Sequence, residues 1–237
     1  GVMKLSVVIP VYNEEATIAE LLDMVAAAPL PDEVHELEVV AVDDFSSDAT
    51  WSKLEAWTPS ERIDGRAVTA LRERHPRNRG KGAALRTGFA SASGDVLLVQ
   101  DADLEYDPAE YPVLLQPIVD GRAEVVYGSR FLGGPHRVLF FWHFIGNQLL
   151  TLLSNMFSDL NLTDMETCYK VFKKSVVDKL DIRSNRFGVE PEITAKVAKM
   201  KCRIYEVPVS YFGRDYAEGK KIGWKDGDLG RASLTET

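Results

Sequence analysis

Asp101-Ala102-Asp103 sets two carboxylates two residues apart, and Glu105 follows at the same spacing. Alternate residues of an extended chain face the same way, so such a pair at the end of a strand can turn toward one cation. Oxygen ligands select a hard divalent ion, Mg2+ or Mn2+. Asp-x-Asp also occurs in solvated turns and helix caps, so the pair takes its meaning from the rest of the chain. Two familiar phosphate cradles are excluded. Neither the segment after Val11 nor the one after Val42 has Gly-x-Gly-x-x-Gly, and no Walker lysine motif occurs. A diphosphate must then be held otherwise, and a divalent ion bridging it would also assist its departure as a leaving group. These residues point to displacement on a nucleotide-activated donor.

Basic side chains that could meet phosphate are Lys81 in Asn78-Arg79-Gly80-Lys81-Gly82, Arg130 in Gly128-Ser129-Arg130, Arg186 before Phe187-Gly188, and Arg214 and Lys220 in the tail. The planar fork of arginine grips two oxygens, and lysine adds a compact charge. Each has a plainer reading: Lys81 at a helix start, Arg130 in a structural ion pair, and Arg214 with Lys220 and Lys221 on a solvated loop. Asp164 and Glu166 are the carboxylates available to a general base on the acceptor side.

The elements that must position these groups follow from hydrophobic pattern. Residues 5–11, 37–42, 95–99 and 125–127 are short apolar runs with little alternation, as in parallel strands buried on both faces. Between them Ile18, Leu21, Leu22 and Val25, then Trp51 and Leu54, then Ala84, Leu85 and Phe89, then Leu114, Leu115 and Ile118 recur at helical spacing. Alternating strands and helices predict an α/β fold with a mostly parallel sheet flanked by helices. Ligands of such sheets bind beyond the carboxyl ends of the strands, which is where Asp43, Asp44, Asp101 and Asp103 fall.

The 237 residues suit one compact unit, and 45% hydrophobic with 27% charged residues is the composition of an ordinary soluble globular protein. With 36 acidic against 28 basic side chains the net charge is −8, which argues against a nucleic-acid binder and leaves phosphate to a local site. Cys168 and Cys202 stand in no metal or disulfide spacing, as in a reducing compartment.

Five motifs in order carry a family resemblance: Val8-Ile9-Pro10-Val11-Tyr12-Asn13-Glu14, Val42-Asp43-Asp44-x-Ser46-x-Asp48, Asn78-Arg79-Gly80-Lys81-Gly82, Asp101-Ala102-Asp103 and Gly128-Ser129-Arg130. Together they resemble the family-two inverting glycosyltransferases of GT-A fold, above all the polyprenyl-phosphate (dolichyl-phosphate) hexose synthases. The resemblance reaches to about residue 227, where Phe212-Gly213-Arg214 and Gly219-Lys220 are similar to the family's acceptor-side basic motif. It implies a metal-dependent, inverting transfer of a hexose from a nucleoside diphosphate sugar to polyprenyl phosphate. GDP-mannose is the first choice of donor and UDP-glucose the second. Alternatives are a same-fold enzyme acting on a saccharide hydroxyl and a nucleotidyltransferase.

By the same resemblance Pro10, Tyr12 and Glu14 surround the nucleoside, and Val42, Asp43 and Asp44 meet base and ribose. Asp101, Ala102 and Asp103 line the diphosphate, and Lys81 belongs to the nucleotide-sugar-binding set. Mg2+ or Mn2+ rests on Asp103 and Glu105, with Asp101 direct or through water, and Arg130, Arg186, Arg214 and Lys220 hold the acceptor phosphate. Asp101, Asp103 and Arg130 form the catalytic set. Glu105 stands where the family often has Gln. Asp44-Phe45-Ser46 replaces the usual Asp-Gly-Ser turn, and Gly tolerates a positive φ that Phe rarely takes.

From about residue 135 the strand-helix rhythm breaks. Residues 136–157 are rich in bulky apolar side chains and read either as a pair of buried core helices or as an interfacial helix, the latter favoured by a polyprenyl acceptor. A helix is expected over 191–200 and a strand within 203–211. The expected organisation is one catalytic domain over 1–237, with a nucleotide-sugar part (1–134), an acceptor and membrane-facing part containing amphipathic helices (135–227) and a tail (228–237). No run of about 20 apolar residues and no cleavable leader pattern occur, so the expected location is cytoplasmic, peripheral on the inner face of a membrane. Anchoring then falls to a segment outside this sequence or to a separate membrane subunit.

Overall fold

The structure, a computed structural model, describes residues 2–133, 138 and 140–213. Its strands are β1 (Met3–Val11), β2 (Val34–Asp43), β3 (Ala67–Arg74), β4 (Val96–Val99), β5 (Val125–Ser129), β6 (Lys170–Lys173) and β7 (Ile204–Pro208). Its helices are α1 (Ile18–Ala26), α2 (Thr50–Ala56), α3 (Lys81–Ser91), α4 (Tyr111–Val119), α5 (Phe141–Ser158), α6 (Lys174–Val177) and α7 (Val189–Lys199). All seven strands form one sheet in the order β3-β2-β1-β4-β6-β5-β7. Only β6 runs against its neighbours β4 and β5; the other pairings are parallel.

The fold is the expected mostly parallel α/β sheet, and its core lies on the unalternating runs. Leu5, Val7, Val8, Ile9 and Val11 of β1 have no exposed surface, nor do Leu37, Val40 and Val42 of β2. Burying each such side chain contributes about 1.5–3 kcal/mol. Helix α3 carries small residues, Gly82, Ala83, Ala84 and Gly88, on its buried side, which lets its backbone lie close over β1 and β2. A Cβ on Gly88 would overlap the Val8 side chain.

Two strands escaped the hydrophobic pattern. β3 is an edge strand whose residues alternate between half-buried and exposed, and β6 has only four residues. Strands from both sides of residue 135 share the sheet, with β6 inserted between β4 and β5. The described residues within 136–157 do not form a pair of buried helices: from Phe141 on they lie in the single helix α5, of which Thr151 alone is buried.

Strand direction gathers the chemistry on one edge. The parallel strands β1, β2 and β4 end there at Val11, Asp43 and Val99, followed by Asp101. Two reversals across β6 make β5 parallel to β4, so Ser129 and Arg130 join the same edge. β6 begins there at Lys170, and β7 ends there before Tyr211.

Candidate functional site

On the nucleoside side, register sets Pro10 beside Val42 and Val11 beside Asp43, all four buried. Two loops leave these strand ends and are tied together. The Asn13 N–H donates to Ser46 Oγ at 2.9 Å, and the Ser47 N–H donates to Asn13 Oδ1 at 2.8 Å. Both loops contain a non-glycine residue in the left-handed region, Asn13 at φ 52° and Phe45 at φ 63°. Phe45 therefore takes a left-handed conformation that glycine adopts freely, with its ring half exposed and the Arg74 guanidinium 5.6 Å from the ring centre. Tyr12 and Glu14 are half-buried at the mouth of this pair of loops.

Asp43 and Asp44 lie where the sequence put them, but their described contacts are internal and neither has exposed surface. Asp43 accepts from the Ser46 N–H at 3.2 Å and pairs with Arg74 Nε at 3.2 Å. Asp44 accepts from the backbone N–H groups of Arg79 (2.9 Å) and Gly80 (2.7 Å) and meets His75 Nδ1 at 2.7 Å. Buried carboxylates need such partners, and here the partners fasten the end of β2 to the loop that opens α3. That loop relies on glycine: Gly80 has φ 102°, and a Cβ on it would overlap the Asn185 carbonyl, which also accepts from the Gly82 N–H at 2.7 Å.

Lys81, first residue of α3, reaches the acidic pair. Its Nζ is 3.0 Å from Asp101 Oδ1 and 3.6 Å from Glu190 Oε1 of α7. The other Glu190 oxygen holds the buried Lys170 ammonium, giving a run Asp101–Lys81–Glu190–Lys170 beneath the edge. The Ala102 carbonyl accepts from Thr17 Oγ1 at 3.0 Å, and Asp103 Oδ1 accepts from the Glu105 N–H at 3.2 Å. Glu105 is buried, and its Oε2 accepts from the Tyr211 hydroxyl at 2.9 Å.

Among the described residues no three His, Cys, Asp or Glu side chains are gathered so as to hold a metal ion, so Asp101, Asp103 and Glu105 are not a preformed ligand set. The physical reason lies in their partners, Lys81 for Asp101 and Tyr211 for Glu105. An oxygen-only pair of aspartates still fits a hard cation whose remaining ligands come from a substrate diphosphate, the usual way Mg2+ is held.

On the acceptor side, Arg130 closes a two-point ion pair with the fully buried Asp164, the structural pairing its plainer reading foresaw. Arg186 is exposed and donates to Asn78 Oδ1 at 2.9 Å, which sets it over the Asn78–Gly82 loop. Arg214 and Lys220 lie outside the described residues. Sequence reasoning missed His75, Thr17, Lys170 and Glu190. An acid in the first turn of α7 was the one legible signal among them.

The open, mostly parallel sheet flanked by helices is the GT-A fold of glycosyltransferases. Solved structures share it. Glucosyl-3-phosphoglycerate synthase of Mycobacterium tuberculosis, in complex with Mn2+, UDP and glucosyl-3-phosphoglycerate, matches with TM-score 0.64 at 23% identity, covering 91% of this chain and 74% of that one. A Pyrobaculum calidifontis mannosyltransferase in complex with GDP-Man and Mn2+ matches with TM-score 0.64 at 24% identity, covering 98% and 61%. Among curated relatives, dolichol-phosphate mannosyltransferase of Pyrococcus furiosus is 30% identical over 227 residues, 93% of this chain and 60% of its own length. Undecaprenyl-phosphate mannosyltransferase of Micrococcus luteus is 29% identical, covering 99% and 93%. The chain thus spans 60% of the length of the Pyrococcus relative and nearly all of the Micrococcus one. The sequence model of Glycosyl transferase family 2 matches residues 6–181, and the chain belongs to that family.

Proposed function

We propose that this chain transfers a hexose from a nucleoside diphosphate sugar to polyprenyl phosphate, with GDP-mannose the first choice of donor and UDP-glucose the second. The observation that carries the reading is the meeting of Asp101, two residues before Asp103, with Lys81 at the sheet edge where the Tyr12 and Phe45 loops also open. Relatives named for dolichol-phosphate and undecaprenyl-phosphate mannosyl transfer support the acceptor class, and a neighbour bound to GDP-Man supports the donor.

In this reading the loops carrying Tyr12, Glu14 and Phe45 enclose the nucleoside, with Asp43 and Asp44 fixing their shape. Asp101 and Asp103 face the diphosphate and would hold Mg2+ or Mn2+. When bound, that cation neutralises charge on the leaving nucleotide. Lys81 adds a second positive charge on the same side. The acceptor phosphate is anionic near neutral pH, so no base must remove a proton from it. The protein's task is to hold an acceptor oxygen in line with the anomeric carbon, and one displacement inverts that centre. Arg130, Arg186, Arg214 and Lys220 are the proposed acceptor-side charges. Helix α5, with its exposed aromatic face, is proposed to rest against the membrane that holds the lipid.

The test is a panel of radiolabelled nucleotide sugars incubated with polyprenyl phosphate and Mn2+, followed by organic extraction. Label in the organic phase from one donor identifies donor and acceptor together. Label released only as free sugar or on a soluble saccharide would replace this reading.

A further inference from the structure

Residues 163–168 connect the Arg130–Asp164 pair to the start of β6, and their backbone is fixed from several sides. The Thr163 N–H donates to Glu206 of β7 at 2.9 Å, and the Asp164 N–H donates to the same carboxylate at 3.2 Å. The Met165 N–H donates to Thr151 Oγ1 of α5 at 3.1 Å, and the Cys168 N–H donates to the Tyr106 hydroxyl at 3.2 Å. Glu166 is the exception in this segment. Its side chain is partly buried, yet among the described residues it makes no hydrogen bond and no ion pair. Next to it, Thr167 Oγ1 is buried without a hydrogen-bond partner among the described residues. A segment held this firmly while one carboxyl is left unengaged is how a site presents a group to a ligand.

The surroundings say which ligand. Burial and the Glu190 carboxylate push the Glu166 carboxyl up to about 7, while Lys170, Lys81 and Arg130 pull it down. These charges come from α7, β6, α3 and the end of β5. Glu166 is therefore felt by Lys81, the partner of Asp101 on the leaving-group side, and by Arg130 on the acceptor side. In a displacement, the transferred sugar is what lies between leaving group and acceptor. Asp164 cannot serve in the same way, because both its oxygens bind the Arg130 guanidinium.

We propose that Glu166 is a specificity residue that hydrogen-bonds a hydroxyl of the transferred hexose. The proposal rests on the donor and acceptor sides assigned above, and it adds the group that reads the sugar. A phosphate acceptor needs no base, so the carboxyl acts on the donor and leaves the acceptor alone. A site built to bond a hydroxyl discriminates against a donor that lacks or misplaces it, because the partly buried carboxyl is then left unpaired.

The experiment is calorimetry with GDP-mannose, UDP-glucose, GDP and UDP, each with Mn2+, on the parent, Glu166→Gln and Glu166→Ala, with thermal melting of each variant. The bare diphosphates are expected to bind all three proteins within about twofold. The extra affinity contributed by the sugar should fall about tenfold in Glu166→Ala and less in Glu166→Gln. Rate ratios between donors epimeric at one hydroxyl should narrow in both variants. Glu166→Gln should melt at or above the parent at pH 8, since it removes a carboxyl whose ionisation the fold opposes. Three results would overturn the proposal: variants with the parent's sugar-dependent affinity and donor ranking, a parent that binds nucleotide sugars no tighter than bare diphosphates, or unchanged donor affinity with a kcat that loses a limb near pH 7, the sign of a base. Failure of the lipid-acceptor reading shows separately, as donor binding without label extracted with polyprenyl phosphate.

Discussion

Arg130 grips Asp164 at two points, with Nε 2.7 Å from Oδ2 and Nη2 2.8 Å from Oδ1, and the guanidinium lies between the rings of Phe131 and Tyr211 at 5.4 and 5.2 Å. Asp164 has no exposed surface, so removing either partner strands a buried charge. Asp164→Ala and Arg130→Ala should each cost about 3–5 kcal/mol. The double variant should cost clearly less than their sum, because it leaves neither charge alone. Urea unfolding of the four proteins measures this. Additive losses would mean that the pair does not act as a unit.

Asp103 presents the opposite case. It is half-buried and accepts the Glu105 N–H at 3.2 Å; losing that bond in Asp103→Ala should cost about 1 kcal/mol of stability, the value of a lost cap. Metal-dependent transfer should nevertheless disappear, together with Mn2+ binding in the presence of nucleoside diphosphate as read by electron paramagnetic resonance. Full activity in a folded Asp103→Ala protein would remove this residue from the cation's ligands.

The contrast between these residues shows how far the sequence could be read. Residues 5–11 and 37–42 are legible because a strand buried on both faces needs an unbroken apolar run. β3 is not, because its half-buried Val68, Ala70 and Arg72 and its exposed Ala67, Thr69 and Leu71 do not separate by polarity, and four residues are too few for β6 to show a period. Residue type and position at a strand end located Asp43, Asp44, Asp101 and Asp103 on one edge. Type does not say whether a carboxylate meets a ligand or a backbone amide, and Asp44 meets the amides of Arg79 and Gly80. The Lys81–Glu190 approach joins residues 109 positions apart and leaves no local pattern at all.

Phe45 tests whether the turn after β2 holds strain. A bulky side chain at φ 63° is disfavoured, by roughly 1–2 kcal/mol, and the contact with Arg74 returns about 0.5–1 kcal/mol. Phe45→Gly should therefore fold with stability within about 1 kcal/mol of the parent. Phe45→Val should lose more, since a β-branched residue is worse at positive φ and cannot stack on Arg74. Thermal melts of the two variants decide the order. A Phe45→Val protein as stable as Phe45→Gly would mean that the turn relaxes to another conformation.

Glu192 predicts an acid-side loss of stability. Burial opposes its charge, but Lys196 and the Ser184 and Arg183 N–H groups, at 2.6, 2.7 and 2.8 Å, outweigh it and bring the carboxyl from 4.5 down to about 2. A carboxyl held low in the folded state stabilises it fully above its unfolded value. That contribution is lost as pH falls from 4.5 through about 2. The melting temperature of the parent should drop over this range by more than that of Glu192→Gln, and the two curves should run parallel above pH 5. Because Glu192 anchors the loop whose Asn185 carbonyl receives the Gly82 N–H, Glu192→Gln should also raise the KM for the donor. Parallel curves down to pH 2 would remove the linkage.

Helix α5 carries the last prediction. Its 18 residues include no Asp, Glu, Lys or Arg, and Trp142, Met156 and Phe157 are 77%, 70% and 89% exposed. No described helix is long and apolar enough to cross a membrane. A charge-free helix of about 27 Å with aromatic side chains in solvent instead suits the boundary between headgroups and acyl chains. Trp142 and Phe157 lie near its two ends, so lying flat would engage both. Full burial of one such side chain contributes about 1.5–3 kcal/mol, so Trp142→Ser and Phe157→Ser should each weaken vesicle binding by about tenfold. Sedimentation with phosphatidylglycerol vesicles measures the partition, and sedimentation velocity without lipid shows whether the same face pairs two copies. Vesicle binding unchanged in the double variant would detach α5 from the membrane. Binding lost together with lipid-linked product, while donor affinity in calorimetry stays at the parent's value, would tie this helix to delivery of the acceptor.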